Sequence, residues 1–202
     1  MSRNTTKSTR KPTKKTEDSR VRRTRDALGD ALVELMHERT FADITVQHVL
    51  DRAGVSRSTF YTHFSDKDDL FLSDMEDFLE MMAFALSRKK EKSKRVAPVQ
   101  ELFAHVGDWH KFHSVLVAAE KIRDFEELGR GYFARGIEQR LQEIKGSGTD
   151  GSRRTEIQSN ARAQMLAGAL MSSLSWWVSS GMKASPAEMD ELFHRLVWGS
   201  TA

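Results

Sequence analysis

Beyond residue 20, apolar positions recur at spacings of three and four, and no strict alternation of useful length interrupts them. That period belongs to helices with one buried face. Leu28, Ala31, Leu32, Leu35 and Met36 make one stripe and predict a first helix near 20–38. "TFADIT" breaks the pattern. Thr45 is placed to cap a second helix through Ala53, with Val46, Val49, Leu50 and Ala53 facing inward. Gly54 ends it, because glycine tolerates the left-handed backbone that closes a helix. Ser56 opens a short third helix to about Phe64. Ser65, with Asp68 to complete a capping box, opens a long fourth along Phe71, Met75, Phe78, Met82 and Leu86.

After the basic break "SRKKEKSKRVAP", helical patterns resume at about 98–120, 124–145, 155–181 and 186–198. A glycine-serine loop, "KGSGTDGSRR", separates the second and third of these, and Pro186 suits the first turn of the last. The expected fold class is all-α: a three-helix N-terminal unit at 20–66 and a helical bundle at 67–202.

Residues 1–19 contain almost nothing apolar and are expected to be a disordered basic arm. Charge sharpens the division. The first 25 residues hold ten Lys and Arg against two acids, a net of +8, so the net +3 of the whole chain leaves −5 on the remainder. A basic arm on an acidic body fits an anionic polymer partner, and on charge alone it equally fits a solvated tail. There is no cysteine, which removes disulfides, thiolate zinc sites and cysteine nucleophiles. No apolar run is long enough to span a membrane and no secretory signal opens the chain, so the expected location is the cytoplasm, with no membrane partner.

The densest chemistry lies in "GVSRSTFYTHFSDKDDLF", residues 54–71. Two short helices joined at Gly54-Val55 have the size and turn of a helix-turn-helix, whose second helix enters the DNA major groove. Phe60 and Phe64 share a face that can anchor that helix. Arg57, Ser58, Tyr61 and Thr62 fall on other faces, free to meet DNA. Arg57, at the helix N-terminus, can pair with guanine O6 and N7. Ser56, Thr45 and Lys67 stand at helix starts, where free amides favour phosphate, and Tyr61 and His63 can each donate to a phosphate.

"FADITVQHVLDRAGVSRSTFYTHFSDKDDLF" (41–71), preceded by "RTRDALGDALVELMHER", resembles the DNA-binding domain of the TetR family of bacterial transcriptional repressors. The likeness covers about residues 22–75 in order and spacing. It implies a homodimer with an N-terminal helix-turn-helix domain, and a C-terminal domain that binds a small-molecule effector and dimerises. Positions matching the family's DNA contacts are Thr45, Gln47, Ser56, Arg57, Ser58, Tyr61, Thr62, His63 and Lys67. Tyr61, His63 and Lys67 fall at phosphate-contacting positions, and Gln47 and Arg57 where members read bases. The basic arm is longer than in many members.

In the body, Phe103, Trp109, His113, Phe133 and Trp177 are candidate effector contacts. The last two helices, mixing small residues with a stripe of Met189, Leu192, Phe193, Leu196 and Val197, are the candidate dimer seam. His105, His110 and His113 invite a metal, but only two share a helical face and no carboxylate completes a set, so no metal or cofactor is expected. The expected function is a cytoplasmic, nucleoid-associated repressor, released from a palindromic operator by a small molecule. A constitutive or architectural DNA-binding protein is the alternative. An enzyme ranks last, since no phosphate loop, nucleophile elbow or paired carboxylates are present.

Overall fold

The structure is a computed structural model and describes residues 14–108, 121–145 and 153–199. Among these residues the regular structure is helical throughout. The elements are α1 (Lys14–Glu38), a 3-10 turn (Phe41–Asp43), α2 (Val46–Ala53), α3 (Arg57–His63), α4 (Lys67–Ala83) and α5 (Ala85–Arg88). They continue with α6 (Val99–Asp108), α7 (Ile122–Lys145), α8 (Arg153–Ser179) and α9 (Pro186–Trp198).

The first stripe of the sequence is the inner face of α1: Leu28, Ala31, Leu32, Leu35 and Met36 are all buried. The helix starts at Lys14, six residues before the expected boundary, so residues 14–19 are helical and not a disordered arm. Lack of apolar residues argues only against packing. Lys, Glu and Arg form helix readily once a nucleus downstream is anchored. Residues 1–13 of the expected arm lie outside the described residues.

Thr45 caps α2 as expected. Its hydroxyl accepts from the His48 amide at 3.2 Å, and the His48 ring returns the bond to the Thr45 amide. Gly54 closes α2 at φ +64°, and the Val55 amide reaches back to the Leu50 carbonyl at 3.2 Å. Ser56 caps α3 by accepting from the Thr59 amide. The fourth helix departs from expectation by one residue. Its cap is Asp66, which accepts from the Asp69 amide at 2.8 Å, while Ser65 donates from both amide and hydroxyl to the Asp69 carboxylate. An ionised carboxylate at a helix N-terminus outcompetes a hydroxyl. Asp68 instead pairs with Lys121 at 2.7 Å.

The long stripe of the fourth helix runs through a break. Phe84 leaves helical geometry, and α5 restarts the turn with Leu86 still buried. Spacing alone hides this, because Met82 and Leu86 stay four apart on either side.

In the body, α7 and α8 pack along each other, α4 lies against α7, and α6 lies against α9. Gly136 sets the α4–α7 distance, since a Cβ there would stand 2.3 Å from the Ala83 carbonyl oxygen. The segment before α6 is held by charge. Arg95 grips Asp190 of α9 at 2.6 Å and Glu101 of α6 at 2.6 Å. Arg140 of α7 donates to the carbonyls of Glu91, Ser93 and Arg95. Burial alone would raise the Asp190 carboxyl, but hydrogen bonds from His194 and Arg95 hold it below the ordinary range. No helix among the described residues is long and apolar enough to cross a membrane.

Candidate nucleic-acid interface

Phe60 has no exposed surface and Phe64 is buried, their ring centroids 5.7 Å apart. This pair fastens α3 to the core formed by α1, α2 and α4. With that face committed, Arg57, Ser58, Tyr61 and Thr62 of α3 are exposed, as are Ser56 before it and Thr45 and Gln47 at the start of α2. Tyr61 is 51% exposed, a large side chain left in solvent. His63 is half-buried beside Phe64.

The two candidate base readers meet. Arg57 donates to the Gln47 side-chain oxygen at 2.9 Å, and Gln47 donates to Asp51 at 2.7 Å. The chain Arg57–Gln47–Asp51 therefore runs across the angle between α2 and α3 and engages both ends of the Gln47 amide. Ser56 shares hydrogen bonds with Ser58 and Thr59, and the Thr62 hydroxyl donates to the Ser58 carbonyl.

Lys67 has a different situation. Its ammonium donates to the carbonyls of Phe41, Ala42 and Ile44 and lies 4.6 Å from the centre of the Phe41 ring. All three of its donors are satisfied within the chain. Lys67 ties the N-terminus of α4 to the 3-10 turn. Lys121, from the body, reaches the same place, within 5.4 Å of the Phe41 ring and paired with Asp68. That pairing keeps its ammonium above the ordinary lysine range.

Two further braces tie α1 to its neighbours. Arg52 of α2 pairs with Glu34 and Glu38 of α1. Arg25 of α1 donates to Ser73 at 2.6 Å and Asp77 at 3.2 Å on α4, with its guanidinium 5.6 Å from the Phe64 ring.

Residues 28–73 match the model of the family described as bacterial regulatory proteins, tetR family. Over this segment the chain carries a TetR-type DNA-binding domain. An HTH-type transcriptional regulator of Haemophilus influenzae is 38% identical over 71 residues, which is 35% of this chain and 34% of that protein. The chain's matched segments span between 14% and 37% of the curated relatives they align with. Among solved structures, a TetR transcriptional regulator from Streptococcus agalactiae aligns with a TM-score of 0.59 at 21% identity, over 92% of this chain and 99% of that one. The dihydroxyacetone kinase operon activator DhaS aligns with a TM-score of 0.64 at 14% identity, over 87% and 94%. These likenesses extend the TetR-family fold over the body, where sequence matching fades.

The expected effector residues that the structure describes are placed differently from the exposed face of α3. Phe103 and Phe133 have no exposed surface and Trp177 is buried, with Phe103 and Trp177 at 5.0 Å between ring centroids. Trp177 donates to the Ala184 carbonyl. Trp109 and His113 lie outside the described residues. A cleft of about 520 Å3 opens elsewhere, between α1 and α4, and Phe103, Phe133 and Trp177 do not line it. No three His, Asp or Glu side chains converge on a possible metal site among the described residues.

Sequence reasoning missed Arg25, Asp51 and Lys121. Asp51 had a signal, since it stands four residues from Gln47 on the same helical face. Arg25 was counted with the basic arm, and nothing local marks its partners, which lie 48 and 52 residues away.

Proposed function

We propose that the protein is a transcriptional regulator that binds DNA as a homodimer, inserting α3 into the major groove. The carrying observation is the face of α3: Arg57, Ser58, Tyr61 and Thr62 stay in solvent while Phe60 and Phe64 spend the other face on the core. Arg57 leaves Gln47 to reach guanine, and Gln47 reads a neighbouring base. Thr45, Ser56, Tyr61 and His63 contact phosphate. Lys67 supports this surface by holding the start of α4, and a direct phosphate contact would require it to give up a carbonyl.

Dimerisation is supported by a stripe on α8. Met165, Ala169, Ser172 and Trp176 share one face at four-, three- and four-residue spacing, and all are exposed, Met165 at 73%. Leu192 and Leu196 are exposed apolar side chains of α9, with Leu196 at 75%. Met189 and Phe193 of the same sequence stripe turn inward. Apolar side chains aligned on adjacent helices, with small residues between, suit a two-fold helical seam. Two recognition helices then read a palindromic site.

In this reading the bound dimer represses transcription, and a small-molecule effector in the body releases it by favouring a conformation with altered separation of the recognition helices. Phe103, Phe133 and Trp177 are packed against the core, so an effector using them displaces side-chain contacts on entry.

Footprinting of the purified protein on DNA flanking its own gene tests the proposal. The expected result is a protected palindrome with half-sites about one helical turn apart or more. Absence of any protected site below micromolar concentration at about 100 mM salt contradicts it.

A further inference from the structure

The cleft between α1 and α4 has two chemically different parts. Its floor is apolar and aromatic, with Phe64, Phe71, Met75 and Phe78, and the half-exposed Met81 stands at its mouth. Phe78 stacks on His105 of α6 at 4.7 Å, closing one end. Its walls carry five carboxylates, Asp26, Asp30 and Glu34 from α1 and Asp74 and Asp77 from α4. Among the described residues the lining holds one arginine and no lysine, and that Arg25 is committed to Ser73 and Asp77. Arg52 pairs with Glu34 and Arg25 with Asp77, which leaves Asp26, Asp30 and Asp74 as the negative charge above the apolar floor.

Asp74 shows how poorly the negative charge is balanced. Its carboxylate lies over Gly29 of α1, where an added Cβ would stand 2.3 Å from it. Burial, then repulsion from Asp30, Asp77 and Asp26, pushes it up to about 6, and Arg25 offsets only part. Glu34, His37 and His105 are the other titratable groups of the lining.

We propose that this cleft binds an organic cation with an aromatic or aliphatic body. The charge sits beside Asp26, Asp30 and Asp74, and the apolar body lies on Phe71, Met75 and Phe78. The volume lies in the range of drug-sized ligand sites, which are mostly apolar with a few placed polar groups. Aromatic faces attract cations in addition to burying apolar surface. A bare metal ion does not fit the same geometry, because no three acidic or imidazole groups converge among the described residues. The site lies between the helix-turn-helix unit and the body, and Phe103, Phe133 and Trp177 are not part of it. It is independent of whether the chain binds DNA.

Isothermal titration calorimetry of the full chain at pH 7.5, without DNA, tests it with tetraphenylphosphonium. Tetraphenylborate, of the same shape and opposite charge, is the control. One phosphonium binds per chain and the borate does not. Asp74→Asn weakens the phosphonium by about tenfold or more, from loss of a partly buried charge. Met81→Lys, at a position 47% exposed that tolerates substitution, sets an ammonium at the mouth and has the same effect whatever Asp74→Asn does to folding. Equal binding of both ions, no saturable binding of the phosphonium, or binding unchanged by Met81→Lys overturns the proposal.

Discussion

Two side chains at the junction of α1, the 3-10 turn and α4 link position to measurable chemistry. Lys67 gives all three of its donors to carbonyls, so Lys67→Met strips charged hydrogen bonds from Phe41, Ala42 and Ile44. Each such bond contributes about 1.5–3 kcal/mol, and thermal melting should shift down by several degrees. If Lys67 acts only within the chain, the slope of log affinity against log salt for DNA is unchanged. A contacting lysine would lower it by about 0.9. Asp74 has its folded-state carboxyl raised to about 6. Between the unfolded value near 4 and that point, the folded chain binds more protons than the unfolded one, so stability falls as pH rises through the window. The penalty is complete above pH 6. Asp74→Asn should therefore stabilise the protein by about 1–2 kcal/mol at pH 7.5 and by little at pH 4, as read from denaturant midpoints.

At the scale of elements, close approach decides more than propensity. Gly136→Ala places a methyl against the Ala83 carbonyl, a backbone atom that cannot rotate aside. The α4–α7 contact must open, at about 1–3 kcal/mol, which lowers the melting midpoint by roughly 2–4 °C per kcal/mol in a chain of this size. Calorimetry checks this directly. Elements of this kind divide into legible and hidden ones. The α2 and α3 boundaries were legible because Thr45, Gly54 and Ser56 act on amides within a few residues. The α4 cap slipped by one because Ser65 and Asp66 both qualify locally, and Asp68 was claimed by Lys121, 53 residues away. The start of α1 was hidden because charged residues carry no burial signal, and the break at Phe84 because it preserves the four-residue spacing. The exposed face of α3 followed from Phe60 and Phe64 alone. The Arg57–Gln47 contact did not, since it needs the angle between two helices, and the α1–α4 cleft has lining residues from widely separated segments.

For the whole molecule, the account joins a DNA-reading end to a self-pairing end. Replacing Met165 and Leu196 together by Glu puts charges into the proposed seam while leaving the core untouched, since both are mostly exposed. Sedimentation at micromolar concentration should then show a monomer with unchanged helicity, and affinity for a two-half-site duplex should fall by orders of magnitude, because a single recognition helix loses the second half-site. In the proposed function α3 reads bases through Arg57. Fluorescence anisotropy of a labelled duplex carrying the footprinted site, set against a scrambled duplex of equal length, measures it. Arg57→Ala should lose about 1–3 kcal/mol, roughly fivefold to more than a hundredfold, on the specific duplex and little on the scrambled one. Unchanged affinity for the specific duplex, or an equal loss on both, would contradict the account.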